Sequence, residues 1–261
     1  MSVTRLIALS LLVSSSAASR AYADSSDEPV EEAIASRTPA NEDSFTPGLT
    51  HASAAGRAIM TATATLDGAK HSNTVDMNGE INVYGPVRLV VRVDNAFAGG
   101  NGKARPGIGA AVQLLDERKH GVAGSAYLSY KAEGFTEGEG ELEGLMSFGK
   151  QLGPVHGTLN LAYGQDPEGA ERDGEAALGF HVEPIHGLFT GVIGRFRDAL
   201  GSNGDKGTGV LRDALGAATA TYVIGRFGVT ASAGFAGTKF AGPDSSTQTG
   251  AQAAFAVGAV F

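Results

Sequence analysis

Apolar and polar residues alternate with a period of two over segments about ten residues long, and the pattern recurs along most of the chain. The last residues show it plainly. Counting back by twos, Phe261, Ala259, Val257, Phe255 and Ala253 share one face, and Val260, Gly258, Ala256, Ala254 and Gln252 share the other. Successive side chains of a strand point to opposite sides, so each such segment is a strand with two unlike faces. Val75, Met77, Gly79, Ile81 and Val83 alternate with Asp76, Asn78, Glu80 and Asn82. After Gly85-Pro86, Val87, Leu89, Val91 and Val93 alternate with Arg88, Val90, Arg92 and Asp94. Residues 122–131 and 155–163 repeat the arrangement.

Carried along the chain, the pattern predicts twelve strands: 56–66, 75–84, 87–97, 105–116, 121–132, 138–151, 155–164, 174–183, 186–198, 212–225, 228–239 and 248–261. The first is mostly Ala and Thr. In the ninth, Leu188, Val192 and Phe196 compete with Phe189 and Ile193 for the apolar face, and Arg195 and Arg197 decide for the former set. The intervening connections alternate long and short. Long ones are rich in Gly, Asp, Asn and Ser, as at 98–103 and 201–207, while short ones are tight turns such as Gly85-Pro86 and Gly153-Pro154. An even number of strands, with tight turns at one end and longer loops at the other, is the pattern of an antiparallel up-and-down transmembrane barrel. A ten-residue strand extends about 33 Å, and a tilt of about 45° leaves roughly 24 Å along the membrane normal, matching the apolar band of such a barrel.

In these features, and in closing on an aromatic strand, the chain resembles bacterial outer-membrane β-barrel proteins of porin-like architecture. The resemblance implies a Gram-negative outer membrane, with both termini and the short turns in the periplasm and the longer loops outside the cell. It also implies contact with outer-membrane lipid, and recognition of the strand ending in Phe261 by the barrel-assembly machinery. A soluble, secreted β-sandwich or barrel also shows short alternating strands. Strand length, loop alternation and the C-terminus together favour the membrane barrel. The chain has no Trp, so an aromatic girdle falls to Tyr130 and Tyr163 near the loops and to Phe148, Tyr222 and Phe261 near the turns.

The N-terminal region differs in kind. Arg5, the apolar run Leu6–Val13 and the small residues of Ala21-Tyr22-Ala23 read as a secretory signal over residues 1–23. Its apolar run is too short to span a membrane as a helix. Residues 24–55, carrying Asp24, Asp27, Glu28, Glu31, Glu32, Glu42 and Asp43 among scattered prolines, read as a flexible acidic periplasmic tail. The barrel then occupies 56–261.

Composition closes several routes. There is no Cys, hence no disulfide framework, thiolate nucleophile or Cys-bound zinc. A net charge of −8 argues against nucleic acid as a partner. Phosphate-loop and dinucleotide fingerprints are absent from the sequence. No His sits outward on a strand or at the loop end in a setting suited to hydrolysis, so neither an enzymatic activity nor a cofactor is expected.

If the apolar faces meet lipid, the other faces line the lumen. That set contains Asp76 and Glu80 on the second predicted strand, Arg88 and Arg92 on the third, and Glu141 and Glu143 on the sixth beside Glu139. A cation facing lipid at the midplane costs about 2–4 kcal/mol, so these charges point inward. Taking Tyr84–Pro86 as the turn pairs Val83 with Val87, sets Asn82 beside Arg88 and Asn78 beside Arg92, and leaves Asp76 and Glu80 within diagonal reach of Arg92. The charges then either line a watery channel and set its selectivity or form a paired network that fills the barrel. Glu133, Glu137, Asp166, Glu168, Glu171, Asp173 and Glu175 crowd the same loop end. An acidic mouth of this kind concentrates cations. His156 and His181 fall on adjacent inward faces near the turns, the weak candidates for a metal site, without a ligand spacing that specifies one. The sequence therefore points to a narrow porin-like channel for passive diffusion of small polar or ionic solutes. The alternative is a non-conducting envelope or surface-interaction barrel.

Overall fold

The computed structural model describes residues 58–96, 103–132, 134, 140–167, 172–200, 210–240 and 246–261. The expected signal and acidic tail lie outside the described residues. The strands are β1 (Ala58–Asp67), β2 (Ser72–Tyr84), β3 (Val87–Asp94), β4 (Arg105–Leu115), β5 (Ala123–Ala132), β6 (Gly140–Leu152), β7 (Val155–Gln165), β8 (Arg172–Ile185), β9 (Leu188–Ala199), β10 (Val210–Ile224), β11 (Phe227–Phe240) and β12 (Thr247–Val260). Each pairs antiparallel with the next, and β12 returns to β1, from Ile59 opposite Val260 to Asp67 opposite Gln252. The result is a closed twelve-stranded barrel without sheet edges.

Burial is inverted relative to a soluble protein. Arg92 and Glu80 are each only 2% exposed, whereas Leu161 is 44% and Phe235 77% exposed. Side chains alternate along every strand, so one choice of face decides both facts. The apolar set looks out, and the polar and charged set looks in. That is the distribution of a transmembrane barrel. Tyr130, Tyr163, Tyr222 and Phe261 lie exposed on the outward face, as expected for girdle positions. In β9, Val192 and Phe196 face out while Ile193, Arg195 and Arg197 face in, so the two arginines do set the register of faces.

At the turn end, backbone geometry explains the tight hairpins. Gly85 and Gly153 both adopt left-handed φ, 51° and 64°. Two-residue hairpin turns need that region, which L side chains enter only with strain. Three details depart from the sequence expectation. The β2–β3 register carries a bulge between Asn82 and Tyr84, so Val87 pairs with Tyr84 and not with Val83. The β8–β9 hairpin turns two residues later than 184–185, at His186-Gly187, where Gly187 supplies the positive φ of 76°. The connection after β4 holds a one-turn helix, α1 (Glu117–His120), closed by Gly121 N donating to Glu117 O at 2.8 Å. That connection therefore spans 116–122 and is as long as the loop over 133–139.

Candidate functional site

The inward charges are placed by the two-residue period and brought together by register. Along β3, Arg88, Val90 and Arg92 face inward, and β4 opposes them with Ala111, Gly109 and Gly107. The small residues leave a trough. A Cβ on Gly107 would lie 3.0 Å from Arg92 Cγ, and one on Gly109 would lie 2.7 Å from Ser129 Cβ. Arg92 therefore lies across β4 and β5 and reaches β6. Its Nη1 sits 2.7 Å from Glu143 Oε2, while Nη2 donates to Glu143 Oε1 at 2.8 Å and to Asp94 Oδ2 at 3.0 Å. From β5, Lys131 Nζ donates to Glu143 Oε1 at 2.7 Å and pairs with Glu141 Oε2 at 3.0 Å. Two cations thus hold Glu143, whereas among the described residues Glu141 pairs with Lys131 alone.

The network continues around the wall. Glu141 and Asp173 both approach Gly164 of β7, where a Cβ would meet their carboxylates. Asp173 pairs with Arg197, which stands opposite Asp213 of β10. Asp213 binds Arg195, accepts from Thr238 Oγ1 at 3.0 Å and pairs with Lys70 Nζ at 3.1 Å. Lys70 belongs to the β1–β2 loop, which folds inward. Ala69 is buried against Leu215 and Ala236, and the space for it exists because position 250 is glycine: a Cβ there would overlap the backbone of Gly68 and Ala69. Asp67 Oδ1 holds this loop by accepting from the backbone N–H of Ala69 and Lys70, at 2.8 and 3.0 Å, and its Oδ2 accepts from Gln252 Nε2 at 3.2 Å. The ion pairs form a belt at the loop end of the inner wall. Buried charges persist only when paired in this way. A cavity of about 30 Å³ remains beside the belt, between Tyr127, Lys131, Glu141, Glu143, Asp173 and Arg197. That is room for about one water.

Below the belt, Val90, Ala111, Tyr127 and Leu145 form an apolar row. It separates the belt from the Arg88–Glu80 pair, whose Nη1–Oε2 distance is 3.1 Å. At the turn end, His156 and His181 stack with centroids 4.9 Å apart, and His181 meets the edge of Phe189. Stacking puts ring faces together instead of aiming two lone pairs at a common point. Among the described residues, no group of three or more metal-ligating side chains converges. The rest of the wall, from β10 through β12 to β1, is small and uncharged over its middle: Thr219, Ser232, Ala254 and Thr63 face inward, and Thr221 and Thr230 share a hydrogen bond of 2.9 Å.

All six residues singled out from sequence, Asp76, Glu80, Arg88, Arg92, Glu141 and Glu143, stand on the inward face. Their partners differ from the diagonal expectation. Asp76 Oδ1 accepts from the backbone N–H of Asn95 at 2.8 Å, Glu80 pairs with Arg88, and Arg92 turns the other way, to Asp94 and Glu143. The acidic mouth is therefore partly neutralised from within by Arg92, Lys131 and Arg197. Glu133, Glu137, Glu139, Glu168 and Glu171 lie outside the described residues. Sequence reasoning put Lys131, Arg195 and Arg197 on inward faces without assigning them to the site, and it missed Lys70, Asp67 and Asp213. The signal for Asp213 was its place on the inward face of the tenth strand, in the same period-two set as Leu215, Thr219 and Thr221.

The sequence matches no protein-family model and no curated protein. Its fold does have solved counterparts. A NanC porin structure superimposes with a TM-score of 0.52 at 7% identity, over 77% of this chain and 98% of that one. The anion-selective porin from Comamonas acidovorans gives 0.40 at 9% identity, over 78% of this chain and 98% of that one. The outer membrane channel DcaP of Acinetobacter baumannii gives 0.43 at 7%, over 73% of this chain and 63% of that one. The first of these supports the barrel architecture.

Proposed function

We propose that this protein is an outer-membrane channel, narrow and porin-like, through which small polar or ionic solutes diffuse passively. One observation carries the reading: the lumen charges hold one another against the wall, facing a stretch of small hydroxyl and alanine side chains. A guanidinium bound by two carboxylates lies across the neighbouring strands, against the wall, instead of extending to the axis. Twelve strands are intermediate between roughly eight, where side chains fill a barrel, and about sixteen, which leave an aqueous channel. The inward β1–β2 loop narrows the passage further. In this reading Asp76, Glu80, Arg88, Arg92, Glu141 and Glu143 shape the field felt by a permeating ion, together with Lys131, Arg195 and Arg197. Residues 1–23 direct export, 24–55 form a periplasmic tail, the long loops face outward, and the strand ending in Phe261 is read during assembly. No enzymatic role is proposed.

The test is planar-bilayer conductance of the detergent-refolded chain, with reversal potential measured across a salt gradient. Discrete steps are expected. A silent bilayer from protein whose gel mobility still shifts on boiling would refute the channel and leave the barrel. The second reading, a non-conducting envelope barrel, is favoured by the strap that Lys70 and Asp213 make across the inner wall. It predicts that silence.

A further inference from the structure

The outward face is apolar along nearly its whole surface, which makes its exceptions informative. Among the described strand positions, the outward charged side chains are Lys150 at the turn end and Arg172, Asp198, Arg212 and Lys239 at the loop end. The four at the loop end lie on consecutive strands, β8 to β11. Register sets Asp198 opposite Arg212, and Arg212 opposite Lys239, in one row. Arg172 stands one outward position further toward the loop than Gly174, which opposes Asp198. Directly opposed side chains on one face lie roughly 4.5–5.5 Å apart at Cβ, and like charges so placed are destabilising. Arg212 and Lys239 are such a pair.

Asp198 answers only part of this charge. Arg212 Nη2 donates to Asp198 Oδ2 at 2.9 Å, and its guanidinium lies 5.6 Å from the centroid of Phe196. Arg212 is nonetheless 56% exposed, and among the described residues no carboxylate pairs with Arg172 or Lys239. Directly beneath the row, Val192, Phe196 and Phe235 are exposed on the apolar band. Cations in a row immediately above a lipid-facing apolar surface match an amphiphile whose head is a phosphate and whose chains run down the barrel wall.

We propose that Arg172, Arg212 and Lys239 form a docking site for a phosphate-bearing lipid of the leaflet that surrounds the loop end, with its acyl chains against Phe196 and Phe235. Asp198 orients Arg212 along Phe196 and opposes an anionic head. The site is on the outer wall, so it depends on the transmembrane barrel and not on whether the lumen conducts.

The test uses the full chain refolded in a zwitterionic detergent, titrated with diphosphoryl lipid A and read by native mass spectrometry, with a boiling-dependent mobility shift confirming that each variant is folded. R172Q/R212Q/K239Q is expected to weaken lipid A binding at least tenfold, and K150Q to leave it unchanged. D198N is expected to strengthen it, and lipid A stripped of phosphate to bind at least tenfold less well than the phosphorylated form. Wild-type binding by the folded triple variant, or equal binding of the dephosphorylated lipid, would overturn the proposal. So would displacement by inorganic phosphate at concentrations equal to the lipid, which would make free phosphate the ligand. Should the triple variant fail to fold, K239Q and D198N decide alone: they must shift binding in opposite directions.

Discussion

Glu141 and Glu143 stand two residues apart on one strand face, and the structure requires them to respond differently to the same substitution. Glu143 receives Arg92 through two contacts of 2.7 and 2.8 Å and Lys131 at 2.7 Å, with Arg92 itself 2% exposed. Among the described residues Glu141 pairs only with Lys131, at 3.0 Å, and it is more open, at 21% against 14% side-chain exposure. Removing one partner of a buried ion pair costs about 3–5 kcal/mol, since it leaves the other charge desolvated and uncompensated. Glu143→Gln should fall near the lower end, about 3 kcal/mol, because Asp94 still holds Arg92 and Glu141 still holds Lys131. Glu141→Gln should cost about 1 kcal/mol, the scale of a partly exposed pair. Urea unfolding of the refolded barrel in detergent measures both. Conductance adds an independent reading: one charge about 6 Å from a permeating ion in water is worth about 0.7 kcal/mol, or roughly threefold in ion ratio. Glu143→Gln should therefore move the reversal potential toward anions by about that ratio, by exposing the charge of Arg92 and Lys131. Equal destabilisation by the two substitutions, or less than about 1 kcal/mol for Glu143→Gln, would refute the network as a support of the inner wall.

Further outcomes follow from packing and position. Gly109→Ala should cost about 1–3 kcal/mol in the same urea assay, because its Cβ would meet Leu128 O at 2.5 Å and Ser129 Cβ at 2.7 Å, whereas Gly144→Ala, with open space around it, should cost little. Leu161→Arg, on the outward face midway along β7, should cost about 2–4 kcal/mol in a bilayer; no loss there would contradict a lipid-facing position. Lys70→Ala should release the β1–β2 loop from Asp213, which it reaches at 3.1 Å, and raise single-channel conductance. Unchanged conductance would show that this loop does not narrow the path.

Strand faces were legible because alternation is a local property: Val87 to Asp94 reads the same in sequence and in space. The two-residue turns were legible for a similar reason, since a Gly-Pro pair between two alternating runs leaves few backbone solutions. Partnership was not local. The diagonal rule for adjacent strands offers Arg92 the carboxylates of Asp76 and Glu80, both on β2, and the register it assumed there is nearly the observed one, with Asn78 opposite Arg92. Yet Arg92 goes to β6. On the β2 side it would have to share space with Asn78, while on the β4 side Gly107 presents only a hydrogen, and the trough continues past Gly109 toward Ser129 and Glu143. Lys70 and Asp213 meet only after β1 and β12 close the barrel, through room that Gly250 leaves for the loop. In both cases absent side chains decide where a long charged one goes. An inward-facing strand with glycines at alternate positions is thus a prediction of its own: a cation on one neighbouring strand will cross it to a carboxylate beyond. Substituting Leu at Gly107 tests that directly, because it should break the Arg92–Glu143 pair without touching either charge, and should reproduce the instability of Glu143→Gln.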